Sequence, residues 1–225
     1  MKILIVSATE NEVLPLSGRH LKPFIPESID DFQNKSVNIL ITGIGAVPTT
    51  YHLTRCALSY DLIINAGIAG SFSHDLHPGS VVTISEDVFS EYGIDNRDQF
   101  VPYSNAFKSD ANDPLSNPFM SNPWLGSEFK PGNLKRVRGI TVATVSGSKE
   151  RIDFLKTYWN PEVETMESAA VFYTCLNLKI PFICIRSISN LVEPRDVSKW
   201  KTSDAIENLC KHIKYYIEQV PIPLK

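Results

Sequence analysis

Three short apolar runs, two of them leading into closely spaced glycines, constrain the fold of this 225-residue chain more than any other feature. The runs span residues 2–7, 38–44 and 61–65, and they are apolar on both faces, as in strands that are covered on both sides of a sheet. The second and third runs lead into glycine turns at Gly43, Gly45, Gly67 and Gly70. Glycine at a strand end lets the backbone approach a ligand closely, so these turns are candidates for a binding site.

Further strands and helices alternate along the rest of the chain. Apolar runs predict strands at residues 79–85, 138–145 and 180–188. Helical spacing of apolar residues predicts helices at residues 10–19, 49–58, 149–158, 167–178 and 203–219. This alternation predicts a three-layer α/β fold in which a central mixed β-sheet is flanked by helices.

Residues 86–132 interrupt the alternation. Polar residues and large aromatic side chains are mixed here with prolines at Pro102, Pro114, Pro118, Pro123 and Pro131. Long irregular segments of this kind commonly form lids or interfaces. From the chain length we expect residues 1–225 to form a single domain, with an irregular lid or interface segment at 86–132.

Composition excludes several classes of partner. A net charge of -3 provides no basic field for a phosphate backbone, so we expect no nucleic acid partner. The apolar run at residues 2–7 is too short for a signal peptide or a membrane span, so we expect no membrane partner. The cysteines show no CxxC pair and are predicted to be unpaired thiols of a cytoplasmic protein, at Cys56, Cys175, Cys184 and Cys210.

Three acids and one amide stand out at the ends of predicted elements, where a pocket can form. Glu12 and Glu167 lie at helix starts, Glu164 lies just before the second of these helices, and Asn190 follows the strand at 180–188. Each also has an ordinary structural interpretation, because an acid favours a helix N-terminus and an asparagine favours a turn. The five histidines show no metal-ligand spacing, and the glycines match neither a dinucleotide nor a phosphate-loop fingerprint. We therefore expect neither a metal nor a cofactor.

Five motifs together resemble the purine nucleoside phosphorylase and nucleosidase superfamily. They occur in its order and spacing over nearly the whole chain except residues 86–132, and they are Ala8–Val13, Gly43–Gly45, Asn65–Gly70, Met166–Ala170 and Arg186–Asn190. The resemblance implies a nucleoside phosphorylase-like fold and a nucleoside as substrate. Superfamily members are commonly homo-oligomers, so it also implies a homodimer or a higher homo-oligomer.

The resemblance assigns roles to the sugar-binding residues. Glu12 occupies the place of the glutamate that activates water against the anomeric carbon in the nucleosidases. Met166 and Glu167 match the pair that holds the ribose hydroxyls. Phosphorylases carry an arginine where Asn65 stands, so the resemblance implies a hydrolase that uses water instead of phosphate.

Asn190 departs from the adenine-specific pattern, in which an aspartate contacts the purine N7. An amide donates without giving up a proton, and 6-oxopurine enzymes use an asparagine in this role. The segment that follows Asn190 is similar to that of the futalosine hydrolases, which release hypoxanthine from futalosine on a menaquinone route. The substrate-binding residues implied by the resemblance are Gly45, Ala69, Gly70, Ser148, Thr165, Met166, Glu167, Arg186, Phe100 and Arg195.

Three other functions stay open. A methylthioadenosine or adenosylhomocysteine nucleosidase is disfavoured by Asn190, and a 6-oxopurine nucleoside phosphorylase is disfavoured by Asn65 and Glu12. A non-catalytic protein of the same fold would bind a purine nucleoside without consuming it.

Overall fold

The computed structural model describes residues 1–29, 32, 35–97, 99–107, 110–194 and 196–222. Its strands are β1 (Lys2–Ser7), β2 (Glu27–Ser28), β3 (Ser36–Ile41), β4 (Leu62–Ser71), β5 (Val81–Asp87), β6 (Gly93–Asn96), β7 (Gln99–Pro102), β8 (Met120–Ser121), β9 (Lys135–Thr141), β10 (Val163–Thr165) and β11 (Phe182–Leu191). Its helices are α1 (Leu14–Ser17), α2 (Ala46–Thr54), α3 (Tyr103–Ala106), α4 (Lys149–Trp159), α5 (Ser168–Leu178) and α6 (Thr202–Gln219).

The main sheet is mixed, as predicted. Its strand order is β10-β9-β5-β11-β4-β1-β3-β2, and β8 pairs with β5. β1 is parallel to β3 and β4, and β4 is parallel to β11, whereas β11 and β5 are antiparallel. β10 pairs with both β9 and the end of β4. The strands β10, β9, β5, β11 and β4 therefore form a closed ring.

Alternate side chains of the central strands enter two separate cores. On β1, Leu4 and Val6 belong to one core and Ile3 and Ile5 to the other. Helices α2 and α5 cover the first core, and α6 covers the second with a stripe of buried residues, Ala205, Leu209, Ile213 and Ile217. Because both faces of the sheet are covered by helices, the three-layer α/β prediction is confirmed.

β4 corrects one prediction from the sequence. The third strand was expected to end at Asn65, but it continues to Ser71, so that Gly67 and Gly70 lie inside the strand. A Cβ atom at position 67 would stand 2.8 Å from Oε1 of Glu12. Glycine is therefore needed here because a side chain from a neighbouring segment occupies the space, and the strand does not turn at this point.

Other boundaries also differ from the prediction. The helix expected at residues 10–19 is a single 3₁₀ turn at Glu10–Glu12 followed by the short α1. The short strand β10 was not predicted. Within residues 86–132, β6 and β7 form a hairpin, and Asn122 donates to the Phe182 carbonyl at 2.8 Å. That residues 1–225 form one domain stays a prediction.

The helices and the cysteines bear on two further expectations. No described helix combines the length and the apolar character that a membrane crossing requires. All four cysteines are free thiols, in agreement with the absence of CxxC pairs from the sequence.

Asp87, the last residue of β5, is fully buried and generates a prediction about pH. Burial raises the pKa of its carboxyl from 3.8 to about 7, and the Thr141 hydroxyl and Arg186 oppose the shift. The folded state thus binds more protons than the unfolded state over this range, so the contribution of Asp87 to stability is lost as the pH rises from about 4 to 7.

Asp87→Asn should flatten the pH dependence of the free energy of unfolding. The difference in slope should reach about 1.4 kcal/mol per pH unit for one proton. Urea unfolding of both proteins between pH 4 and pH 8 measures it. Parallel curves would contradict the raised pKa.

Candidate active site

One cavity of about 350 Å³ lies where the carboxyl ends of β1, β4 and β11 meet the start of α5. Such a position is the common ligand site of sheets with parallel strands. The residues that line it include Thr9, Glu12, Ile44, Ala69, Gly70, Val145, Ser146, Glu164, Thr165, Met166, Glu167, Asn190, Val192, Glu193, Asp196, Trp200 and Ile206.

The carboxylate of Glu12 is held from two sides. One oxygen accepts from the backbone N–H of Thr9 at 3.0 Å and from the hydroxyls of Thr9 and Ser7 at 2.9 and 3.2 Å. The other accepts from the Ile68 N–H on β4 at 3.0 Å. Thr9 and Glu12 form a capping box, so the ordinary helix-start interpretation is correct as well. The same contacts fix a carboxylate in the cavity wall.

Glu167 stands at the N-cap of α5, on another wall of the cavity. Its Oε1 accepts from the Gly45 N–H at 2.8 Å. Gly45 has φ of 101°, a conformation that side chains other than glycine rarely adopt, and this turns its N–H toward the carboxylate. Burial raises the pKa of Glu167, and the positive charge of Arg186 opposes the shift.

Arg186 lies behind this wall. It is 1% exposed, and it donates to the Asn65 carbonyl at 3.0 Å, to the Asn65 side-chain oxygen, and to Ser168 Oγ at 2.9 Å. Asn65 itself donates to the Val6 carbonyl at 3.1 Å. The arginine and the asparagine thus bind each other inside the sheet, Nε of Arg186 has no hydrogen-bond partner among the described residues, and neither residue lines the cavity.

Glu164, Gly70 and Asn190 form a row across three adjacent strands. Gly70 of β4 pairs with Glu164 of β10 on one side and with Asn190 of β11 on the other. Paired residues point to the same face of a sheet, and both side chains line the cavity. A Cβ atom at Gly70 would lie only 2.8 Å from Cγ2 of Val192, so the Val192 side chain packs on the glycine between the acid and the amide.

Both ends of this row are held by hydrogen bonds. Glu164 accepts from the Ser146 N–H at 3.0 Å and from the Ser146 hydroxyl. Burial raises the pKa of Glu164, and the bonds from Ser146 oppose the shift. Asn190 accepts from Ser189 Oγ at 2.7 Å and donates to the Leu191 carbonyl at 2.8 Å. An amide carries two N–H donors, so one remains for a ligand.

The lining of the cavity is acidic. Its charged side chains are Glu12, Glu164, Glu167, Glu193 and Asp196, and within the described part of the chain neither lysine nor arginine contributes to it. No group of three or more described His, Cys, Asp or Glu residues is arranged to hold a metal. Such a cavity stabilises positive charge that develops on a bound molecule.

The structure gathers most of the predicted site residues around this cavity. Seven line it directly, namely Glu12, Ala69, Gly70, Thr165, Met166, Glu167 and Asn190. Gly45 donates its N–H to the Glu167 carboxylate. Arg186 acts on the same carboxylate through its positive charge from behind the cavity wall.

Two predicted residues, Ser148 and Phe100, are not found at the cavity. Ser148 is exposed and caps α4, where its hydroxyl accepts from the Arg151 N–H at 3.3 Å. The ring of Phe100 packs against Phe154, Tyr158 and Trp159. These two side chains are held by local contacts instead. Arg195 lies outside the described residues.

Glu164 was singled out from the sequence as an acid at an element end, but it was not among the predicted site residues. The available signal was an acid within an otherwise apolar segment that is now seen to be the buried strand β10. Its pairing with Gly70 could not be read from the sequence, since β10 is short and its partners are distant along the chain.

The geometry agrees with comparisons to known proteins. The chain is 27% identical over 214 residues to futalosine hydrolase from Thermus thermophilus, covering 94% of this chain and 93% of the relative. It is 30% identical over 212 residues to 5'-methylthioadenosine/S-adenosylhomocysteine nucleosidase from Bacillus pumilus, covering 85% and 86%.

Solved structures confirm the nucleoside phosphorylase-like fold. Native futalosine hydrolase of Helicobacter pylori matches with a TM-score of 0.78 at 21% identity, over 97% of each chain. A mutant of the Helicobacter pylori methylthioadenosine nucleosidase, solved with 5'-methylthioadenosine in the active site, matches with the same TM-score of 0.78 at 21% identity, over 96% of this chain and 98% of that one. Residues 2–218 match the family described as the Phosphorylase superfamily, and the chain therefore belongs to that superfamily.

Proposed function

We propose that this protein is a nucleosidase that hydrolyses the N-ribosidic bond of futalosine, releasing hypoxanthine and dehypoxanthine futalosine for menaquinone biosynthesis. The observation that carries the proposal is the convergence of Glu12, Glu167 and Asn190 on one cavity. The relatives named above are hydrolases and nucleosidases, which supports the reaction class.

On the sugar side, the carboxylates match the charge of the transition state. Breaking the bond between C1' and the purine nitrogen leaves positive charge on the sugar and places the electron pair on the base. Glu167 would accept from the ribose hydroxyls. Glu12 would take the proton of the water whose oxygen bonds to C1'. The departing purine would take up its proton from solvent, because an asparagine cannot supply one.

On the base side, Glu164 and Asn190 flank a slot whose floor is Gly70 with the Val192 side chain packed on it. Strands in a sheet lie about 4.8 Å apart, so the acid and the amide flank a slot about two strand spacings wide. The free N–H of Asn190 would donate to N7 or O6 of a 6-oxopurine. Ionised Glu164 would accept from N1–H, which a 6-oxopurine has and adenine lacks.

Water suits this cavity better than phosphate as the attacking group. A phosphate dianion would meet the carboxylates of the lining, and the described lining offers it no lysine or arginine. Arg186 is buried behind the cavity wall, where it donates to Asn65 and Ser168. We therefore assign hydrolysis and not phosphorolysis.

The acidic lining also favours a second candidate. Futalosine carries a carboxylate remote from the base, and the described end of the cavity near Trp200 offers no cation. Arg195, next to Asp196 of the lining, is the cation that we propose for this carboxylate. Methylthioadenosine has no carboxylate and would not need a cation at this end of the cavity, so methylthioadenosine nucleosidase activity is the alternative.

We also propose that the protein acts as a homodimer in the cytoplasm. Ile44 lines the cavity, and beside it α2 exposes Val47 at 82% and Tyr51 at 59%. A contiguous apolar surface of this kind marks an interaction site, and a second copy would cover it next to the cavity. The free thiols support a reducing compartment.

A panel of nucleosides tests the substrate. Futalosine, inosine and methylthioadenosine are incubated with the protein, with and without phosphate, and the products are identified by chromatography and mass. We expect hypoxanthine from futalosine at a rate that phosphate does not change. Adenine from methylthioadenosine alone would establish the second candidate, and a requirement for phosphate would overturn hydrolysis.

Glu12→Gln should lower kcat by at least about a hundredfold, because the amide cannot accept the proton of water. Nucleoside binding should persist. Glu10→Gln is the matched control, since Glu10 lies in the same turn but accepts from the Leu21 N–H outside the cavity. Near-normal turnover by Glu12→Gln would remove Glu12 from the reaction.

Asn190→Asp should reduce hypoxanthine release by about a hundredfold, because a carboxylate cannot donate to N7 or O6. Release of adenine from methylthioadenosine should fall less or rise. Asn177→Asp on the exposed side of α5 makes the same change of charge and serves as control. An unchanged ratio of the two rates would show that Asn190 does not read the base.

Val47→Glu should convert the dimer into a monomer, because a charge would be buried in the proposed interface. Light scattering at several concentrations measures the mass. Tyr215→Glu alters a residue on α6 that is 63% exposed, and it should leave the mass unchanged. A wild-type monomer, or a Val47→Glu dimer, would contradict the interface.

A further inference from the structure

Asp87 is a buried acid that the proposed reaction does not use. It is 0% exposed at the end of β5 and is not part of the cavity lining. Oδ1 accepts from the Thr141 hydroxyl at 2.9 Å, and Oδ2 has no hydrogen-bond partner among the described residues. Burying a carboxylate with one bare oxygen costs stability. A residue of this kind is a candidate for a role other than holding the fold together.

The Thr141 hydroxyl connects Asp87 to helix α5. The backbone N–H of Ala169 donates to Thr141 Oγ1 at 2.8 Å. Because a backbone N–H can only donate, the threonine oxygen acts as acceptor there and its own proton points elsewhere. Asp87 at 2.9 Å is the strongest acceptor in reach, since Thr165 Oγ1 is at 3.3 Å. The Ala169 N–H of the helix thus donates to Thr141, and the Thr141 hydroxyl in turn donates to the Asp87 carboxylate.

A second branch fixes the same turn of α5. Thr165 donates to Ser168 Oγ at 3.0 Å, and Ser168 Oγ also accepts from Arg186 at 2.9 Å. The backbone N–H of Ser168 donates to Thr165 Oγ1 at 3.3 Å. The turn is therefore held from the side of Arg186 as well as from the side of Asp87.

The turn carries a cavity residue. Glu167 immediately precedes Ser168, and its carboxylate faces the cavity. The N-terminal N–H groups of a helix carry partial positive charge, so an acid behind them interacts favourably with them once it is ionised, which for Asp87 requires a pH above about 7. Asp87 occupies that position with Thr141 between it and the helix. The site is closely fitted to this acid, since a Cβ atom at Gly139 would lie 2.6 Å from Oδ2.

We propose that Asp87 is a positioning residue: through the Thr141 hydroxyl it fixes the first turn of α5, and with it the Glu167 carboxylate in the cavity. The consequence for substrate rests on the proposed function, in which Glu167 holds the ribose. The positioning of the turn does not depend on that function.

Three variants test the proposal. Asp87→Asn keeps the size of the side chain and removes its charge, and Thr141→Val removes the connecting hydroxyl. Thr83→Val is the matched control, because Thr83 is also a buried threonine of the sheet, lies on β5 with Asp87, and donates only to the Cys184 carbonyl at 3.0 Å.

Hydrogen–deuterium exchange at the Ala169 amide gives the direct measurement. Thr141→Val should speed exchange there about tenfold, because it removes the hydroxyl oxygen that accepts from the Ala169 N–H. Asp87→Asn should also speed it, at pH 8 where the wild-type carboxyl is ionised, because the Thr141 hydroxyl then donates to a neutral amide oxygen instead of a carboxylate. Thr83→Val should not change it beyond its effect on global stability. Exchange at Ala169 that is equal in all three variants would overturn the proposal.

Kinetics gives the functional measurement. With the nucleoside that the wild-type protein cleaves, Asp87→Asn and Thr141→Val should raise KM about tenfold and change kcat less. The double variant should be no worse than either single one, because both act through the same hydrogen bond. If the double variant combined the full KM increases of both single variants, Asp87 and Thr141 would not act through the same hydrogen bond, and the proposal would be overturned. If the wild-type protein cleaves no nucleoside, the proposed function fails, and the exchange measurement still decides on the positioning.

Discussion

The cavity depends on how closely Glu12 can approach β4. Its carboxylate reaches the Ile68 N–H at 3.0 Å only because position 67 has no side chain. The same strand pairs with β1, β11 and β10, and its carbonyl at Asn65 accepts from Arg186. At Gly70 it separates Glu164 from Asn190. One strand therefore sets the distances between the groups that the proposed reaction requires.

Charge is distributed to match that reaction. Carboxylates line the cavity, and the buried Arg186 stands behind them. Burial raises the pKa values of Glu164 and Glu167, whereas Arg186 opposes the shift at Glu167. This arrangement suits a substrate that becomes positive at the sugar. The positive charge of Arg186 opposes the rise in pKa of both Asp87 and Glu167. Asp87 is therefore coupled electrostatically to the same arginine as the cavity residue Glu167.

The sequence predicted the layers, because they depend on local patterns, and the resemblance singled out residues that the structure places at the cavity, whose roles stay predictions. The apolar runs and amphipathic helices specify the sheet and its cover, and Glu12, Glu167 and Asn190 stand in recognisable motifs. Asp87 escaped prediction, and Glu164 was noted as an acid at an element end but not as a site residue, since the importance of both arises from pairing between strands. Gly67 was assigned to a turn because a glycine that accommodates a distant side chain has the same local signature as one that bends the chain.

Hydrolysis in ¹⁸O-labelled water tests the central claim most directly. If water attacks the anomeric carbon with Glu12 as the base, the sugar product of a single turnover carries one ¹⁸O at C1' and the purine carries none. Mass spectrometry of both products, with phosphate present, distinguishes the outcomes. We expect a labelled sugar and no sugar phosphate. A sugar 1-phosphate without the label, or a labelled purine, would contradict a nucleosidase built on this cavity.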